Sequence, residues 1–214
     1  MENPHVNYKK IIMETNSKMF NVKDEYKDNT VEENQFICHT DSVRFSVGVI
    51  NVTGDLNIGM MLRTASLLGA RNFYIFGRKK FDKRSTVGAE NYINIIHHTY
   101  EDPINADVQL LADIRTLAQN NRILLCEHGG RELGYDNSAF YSKDTRPPLF
   151  LFGSESHGIP ELITKQKVDS EYDMGWNYEF ERISIPQRGV LRSFNVSAAC
   201  SIILWDYCRE WLNY

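Results

Sequence analysis

The chain has 214 residues, 42% of them hydrophobic and 12% aromatic, enough for one substantial core but not two, so a single domain with appendages is expected. No apolar run approaches the roughly 18 residues of a membrane span, and the first twenty residues lack the apolar block of a signal peptide; a soluble, unexported, cytoplasmic protein is expected. Four cysteines without C-x-x-C spacing indicate neither disulfides nor zinc, and the net charge of -4 excludes a nucleic-acid binder only if that charge is evenly spread.

It is not. In chain order, residues 1–43 mix charge, Asn and isolated aromatics without alternation, and read as an N-terminal extension with one helix around residues 6–20. A weakly ordered acidic stretch follows, in which Asp24, Glu25, Asp28, Glu32, Glu33 and Asp41 face only Lys23 and Lys27. The organised domain is expected over residues 44–214. It opens with "RFSVGVINV" as a strand, "NIGMMLRTASLLGA" as a helix and "NFYIFG" as a strand. The stretch "RNFYIFGRKKFDKR" carries six bases against one acid, a basic patch within an acidic chain. Next come "INIIHHTY" as a strand, a helix over residues 104–120, and the strands "RILLCEH", "PPLFLFG" and "ISIP". A terminal helix from about Asn195 to Leu212 completes the chain, and residues 169–181 between the last two strands hold five acids and no base. Short apolar strands alternating with helices predict an α/β domain with a largely parallel sheet buried on both faces.

In such a sheet ligands bind at the carboxyl ends of the strands, so three strand exits matter most. At the first, Asn57 reads as the helix start and Arg63 follows six residues later on the same general side. Alone they are an N-cap and a surface arginine. Met60, Met61, Leu62, Leu67 and Leu68 make this helix largely buried, however, and an arginine within it needs an anionic partner. At the second exit, Gly153 and Gly158 bracket the polar "SESH", which is either a backbone approach to a ligand or a tight turn ahead of Pro160. At the third, "IPQRGVLRSFNVS" sets Arg192, Ser193 and Asn195 just before an apolar helix; a cap accounts for one of them and not for all three. His97 and His98 end a strand without further ligand spacing, so no metal is expected.

The spacing N-I-G-x-x-x-R-T, the segment G-S-E-S-x-G-I-P and the run I-P-Q-x-G-x-x-R-S-F-N-V-S, in this order and leading into a helix, resemble the three motifs of the SpoU branch of the SPOUT methyltransferases over about residues 45–212. The detail "RSFNVSAACSIILWDY" is most similar to the eukaryotic-type members that methylate a D-loop guanosine ribose in tRNA. The resemblance implies a mostly parallel sheet flanked by helices with a C-terminal deep trefoil knot, an exception to the rule against knotted chains. It implies S-adenosylmethionine as cofactor, bound by Gly153, Ile185, Phe194 and the loop near Glu127. It also implies a catalytic set of Arg63, Asn57, Glu155, Ser193 and Asn195 acting on a ribose 2′-hydroxyl. A guanidinium holds its proton too strongly to serve as a base, so phosphate clamping and charge stabilisation are the expected roles of Arg63. RNA contacts are expected from Lys79, Lys80, Lys83, Arg84 and Arg192, with tRNA first and ribosomal RNA as the alternative; a non-catalytic RNA-binding scaffold is the rival from another class. A homodimer through the knot region is implied, with Trp205, Tyr207 and Trp211 on a shared face, and an accessory protein is a further expected partner. The acidic insert and Phe194, where leucine is usual, depart from the pattern. His157, at a position more often small or acidic, is given no role.

Overall fold

The computed structural model describes residues 21–40, 45–50, 55–77, 81–102, 104–134, 136–165 and 180–209. Six strands form one sheet: β1 (Ser46–Ile50), β2 (Asn72–Phe76), β3 (Asn94–His98), β4 (Arg122–Glu132), β5 (Pro148–Phe152) and β6 (Glu181–Ser184). Their order is β3-β2-β1-β5-β4-β6, and every pairing is parallel. The helices are α1 (Val31–Thr40), α2 (Asp55–Leu67), the single turn α3 (Lys83–Thr86), α4 (Ala106–Ala118), the short α5 (Ser138–Tyr141) and α6 (Glu161–Thr164), and α7 (Val196–Cys208).

Because successive side chains on a strand face opposite ways, the apolar strands feed two cores. Val47, Val49, Phe73, Ile75, Phe150 and Phe152 join α2 and α7 on one face, through Ile58, Met61, Leu62, Cys200, Ile203 and Leu204. Tyr74, Phe76, Ile123, Leu125, Leu149 and Leu151 join α4 on the other, through Leu110, Leu111 and Ile114. The expected doubly covered parallel sheet is therefore present. The free thiols of Cys200 and Cys208 are buried within the first core, and burial pushes that of Cys208 up to about 12. Among the described residues no helix is long and apolar enough to cross a membrane.

β4 runs four residues beyond the expected "RILLCEH". Ile183 of β6 pairs with Cys126 and again with Arg131, so residues 127–130 bulge out of the ladder and turn Glu127 towards the sheet's carboxyl edge. The start of β4 is pinned by Arg122, whose side chain is 3% exposed. It donates to both carboxylate oxygens of Glu181 at 2.8 and 3.0 Å and to the Phe140 carbonyl at 2.6 Å, tying β4, β6 and α5 together.

The expected helix around residues 6–20 and the acidic insert lie outside the described residues, except that Phe180 and Glu181 lead into β6. The stretch read as weakly ordered instead contains α1. Thr30 Oγ1 accepts from the Glu33 amide at 3.2 Å while Glu33 Oε2 accepts from the Thr30 amide at 2.7 Å, a reciprocal cap that offsets the local charge. Gln35 then ties α1 to the body by donating to the Asn91 carbonyl at 2.6 Å.

Candidate active site

Three strand ends build one cleft of ≈ 290 Å³ at the carboxyl edge of the sheet. Gly153, Ile185, Phe194 and Glu127, the four residues expected at a cofactor, all line it, and so do Glu155, Arg192 and Ser193. The loop after β5 is closed on itself: the Ser154 amide donates to the Gly158 carbonyl at 3.1 Å and the Gly158 amide to the Ser154 carbonyl at 2.8 Å. Any side chain at 153 would bring a Cβ within 2.1 Å of the Gly158 carbonyl carbon, and Gly158 holds a φ of +67°. The first glycine thus serves the loop's own closure while lining the cleft. Glu127 braces the same loop from the β4 bulge, accepting from the Ile159 amide at 3.0 Å and from the His128 amide at 3.0 Å.

At the mouth of the cleft, Glu155 meets two amides from distant parts of the chain. Asn57 Nδ2 and Asn195 Nδ2 donate to its Oε1 at 2.8 and 2.6 Å, and Asn195 Nδ2 also donates to Asn57 Oδ1 at 3.1 Å. Both hydrogen bonds converge on one oxygen, so that, among the described residues, Oε2 retains its capacity to accept another donor. Asn195 is also the cap of α7: its Oδ1 accepts from the Ser197 and Ala198 amides at 3.0 and 3.4 Å. Of the three polar residues before that helix, the cap is therefore Asn195, and Ser193 and Arg192 are free to face the cleft.

Two expectations need correction. α2 begins at Asp55, so Asn57 lies within its first turn and is not its cap. Six residues further along a helix is a rotation of about 240°, which sends Arg63 to a different face. Arg63 does not line the cleft of its own chain. Nor is it buried beside an anion: it is exposed, without a hydrogen-bond or ion-pair partner among the described residues. It shares its stripe with Leu56, Met60 and Leu67, which are 59%, 50% and 75% exposed. The helix is half-buried, and sequence hydrophobicity overstated its burial because the apolar residues fall on both faces. Tyr207 is corrected too, since it is 5% exposed and packs edge-on against Phe45 and Phe150 inside the core.

Lys79 and Lys80 lie outside the described residues, and Trp211 does as well. Lys83 is exposed, whereas Arg84 is committed to Asp82 through Nε and Nη2 contacts of 2.6 to 3.1 Å. His97 Nε2 lies 3.1 Å from the Gly77 carbonyl and His98 Nδ1 2.9 Å from Asp113, so both close the end of β3; no metal-holding group occurs among the described residues. Among the cleft residues without a role expected from sequence are His128, His157 and Arg182. His157 was in view within "SESH", but nothing in the sequence shows that its loop folds back beside Glu155.

Residues 44–205 match the SpoU rRNA Methylase family. The 23S rRNA (guanosine-2'-O-)-methyltransferase RlmB of Haemophilus influenzae is 27% identical over 167 residues, 76% of this chain and 58% of its own. The fold is similar to that of the SpoU methyltransferase AviRb from Streptomyces viridochromogenes in complex with AdoMet, with a TM-score of 0.55, 22% identity, and coverage of 79% of this chain and 59% of that one. It is also similar to the A. aeolicus TrmH/SpoU tRNA modifying enzyme, with a TM-score of 0.58, 20% identity, and coverage of 84% and 81%. The chain spans a little over half the length of RlmB and of AviRb. It belongs to the SpoU family.

Proposed function

We propose that this SpoU-family chain is an S-adenosylmethionine-dependent RNA methyltransferase that modifies a ribose 2′-hydroxyl of tRNA, at a D-loop guanosine. The observation that carries the reading is the convergence of Glu155, Asn57 and Asn195, far apart in sequence, at the mouth of a cleft lined by all four expected cofactor residues. A scaffold that only held RNA would need no such assembly.

The cleft suits the cofactor chemically. Ile185, Phe194, Val196 and Ile203 offer an apolar wall for an adenine, while Glu127, Ser154 and the closed loop offer polar groups and backbone at its edge. When bound, S-adenosylmethionine supplies an electrophilic methyl group on a sulfonium sulfur, and no metal is needed. The chain's own work is positioning. Asn57 and Asn195 hold the Glu155 carboxylate in one orientation, so its second oxygen can accept from an N–H donor of the bound nucleotide. Ser193 and Arg192 face the same space and contact the nucleotide, Lys79, Lys80 and Lys83 neutralise RNA phosphates, and Arg84 joins them only by giving up its pairing with Asp82.

Arg63 enters through a second copy of the chain. Its stripe on α2 lies beside exposed Ile202 and Trp205 of α7, and the two helices are joined by a 3.3 Å contact between Thr64 Oγ1 and Ser201 Oγ. An exposed apolar face carrying an unpaired guanidinium suits a twofold interface, across which Arg63 reaches the other copy's cleft to clamp phosphate. The C-terminal knot, the cytoplasmic setting, a separate N-terminal extension and an accessory protein for RNA capture belong to the same proposal.

The tRNA assignment draws support from the A. aeolicus tRNA modifying enzyme, which the chain matches over most of its length. The likeness to RlmB favours ribosomal RNA as a second reading. Protein incubated with methyl-labelled cofactor and either tRNA or ribosomal RNA decides between them. The expected outcome is a single alkali-resistant linkage at a D-loop guanosine of tRNA. Label confined to ribosomal RNA establishes the second reading. No label in either, together with no heat of cofactor binding at millimolar concentration, overturns the enzymatic reading in favour of a scaffold.

A further inference from the structure

We propose that His157 is the group that removes the proton from the ribose hydroxyl during methyl transfer, an inference that rests on the methyltransferase reading above. The reaction requires an acceptor near neutral pH, and the cleft offers few. Arg63 is a guanidinium, which cannot be deprotonated in proteins, so even when it reaches the cleft from a second copy it clamps charge and takes no proton. Glu155 Oε1 is occupied by two amide donors, and carboxylates as a class are weak bases at neutral pH. Glu127 is held by two backbone amides in the bulge. An imidazole is the side chain suited to take and return a proton at this pH.

His157 lines the cleft two residues after Glu155, in the loop closed by the Ser154 and Gly158 backbone pair. Its position is fixed at both ends. The backbone amide donates to Ser154 Oγ at 3.1 Å, and ring Nδ1 lies 2.7 Å from Ser156 Oγ. With Nδ1–H donating to that hydroxyl, the Nε2 lone pair is free for a substrate proton. The charged and titratable groups around the same cleft are Glu155 on its own loop, Cys126, Glu127 and His128 from β4, Arg182 from β6 and Arg192 before α7. The 2′ oxygen bonds to the methyl carbon of the sulfonium donor as the carbon–sulfur bond breaks and its electron pair returns to sulfur. The hydroxyl proton passes to Nε2, and the imidazolium then releases it to solvent.

The test is single-turnover methylation of the accepted RNA across pH 5–9 by wild-type protein and by His157→Gln and His157→Gly, with cofactor affinity measured by calorimetry. Wild-type rate should rise through the range in which imidazoles titrate. His157→Gln should lose that inflection and about 100-fold or more in rate, while binding cofactor within about twofold of wild type. Added imidazole should restore part of the rate of His157→Gly, which a merely structural role would not allow. Without cofactor, the ring resonances assigned to His157 should shift on addition of the RNA. An active wild type matched within about threefold by His157→Gln overturns the assignment, and so does an inflection that disappears in His128→Gln instead. A wild type that neither binds cofactor nor methylates any RNA overturns this inference together with the methyltransferase reading.

Discussion

Asn195 uses the two ends of one amide for two separate purposes. Its oxygen caps α7 and its nitrogen holds Asn57 and Glu155, so one substitution can damage stability, chemistry or both. A serine hydroxyl can still accept from the helix amides, but it cannot reproduce two amide N–H donors. Asn195→Ser should therefore leave thermal stability nearly unchanged and lower methyl transfer by tenfold or more, whereas Asn195→Ala should in addition lose about 1 kcal/mol of stability. Thermal unfolding and a single-turnover assay on the same samples separate the two effects; equal activity losses without a stability difference would remove the capping role. At this scale the sequence reveals residue types but not their meetings. Asn57, Glu155 and Asn195 stand out as polar residues at strand exits. That they share one carboxylate oxygen is fixed by contacts across 98 and 40 residues, which no local pattern encodes.

Elements were easier to read where burial on both faces makes a strand apolar throughout, as in "PLFLF" of β5 and "SVGVI" of β1. They were harder where a local cap competes with charge. Thr30 and Glu33 have the spacing of a reciprocal cap, which lets α1 form despite the acidic composition around it. The extra length of β4 was also hidden, because residues 127–130 leave the ladder and break its apolar run. The other end of β4 yields a pH-dependent prediction. Burial opposes the charge of Glu181, but the hydrogen bond and charge of Arg122, aided by Lys143, outweigh it and hold the carboxyl below its usual range. A carboxyl lowered in the folded state contributes fully above its ordinary value, and the contribution is lost as pH falls through the lowered one. Wild type should thus exceed Glu181→Gln by about 1 kcal/mol at pH 7, allowing for solvent screening of the partly exposed carboxylate, and the gap should close in strong acid. Urea unfolding at several pH values measures it; a gap that widens on acidification would contradict this role.

For the whole molecule, the active assembly we propose is two chains. Met60 and Trp205 stand on the exposed faces of the adjoining helices α2 and α7. A carboxylate at each would put like charges into an apolar contact, so Met60→Glu combined with Trp205→Glu should convert a dimer into a monomer in sedimentation experiments. The variant should keep its cofactor cleft and its affinity, but lose about 100-fold or more in methyl transfer because no second Arg63 reaches the site. Full activity in a monomer would instead confine catalysis to one chain. The location of this face was legible only in part: Trp205 is exposed as expected, while Tyr207, two residues on, points into the core. Helical rotation alone separates these two aromatics, and the sequence does not give its phase against the sheet.

The central place of β1 has a consequence for how the polypeptide is made. Val47 pairs with Phe73 on one side and with Phe150 on the other. The second neighbour is synthesised roughly a hundred residues after the first strand, a delay of about 5–20 s at ordinary ribosomal speeds. Until then the nascent chain carries an apolar strand with one of its two edges unpaired.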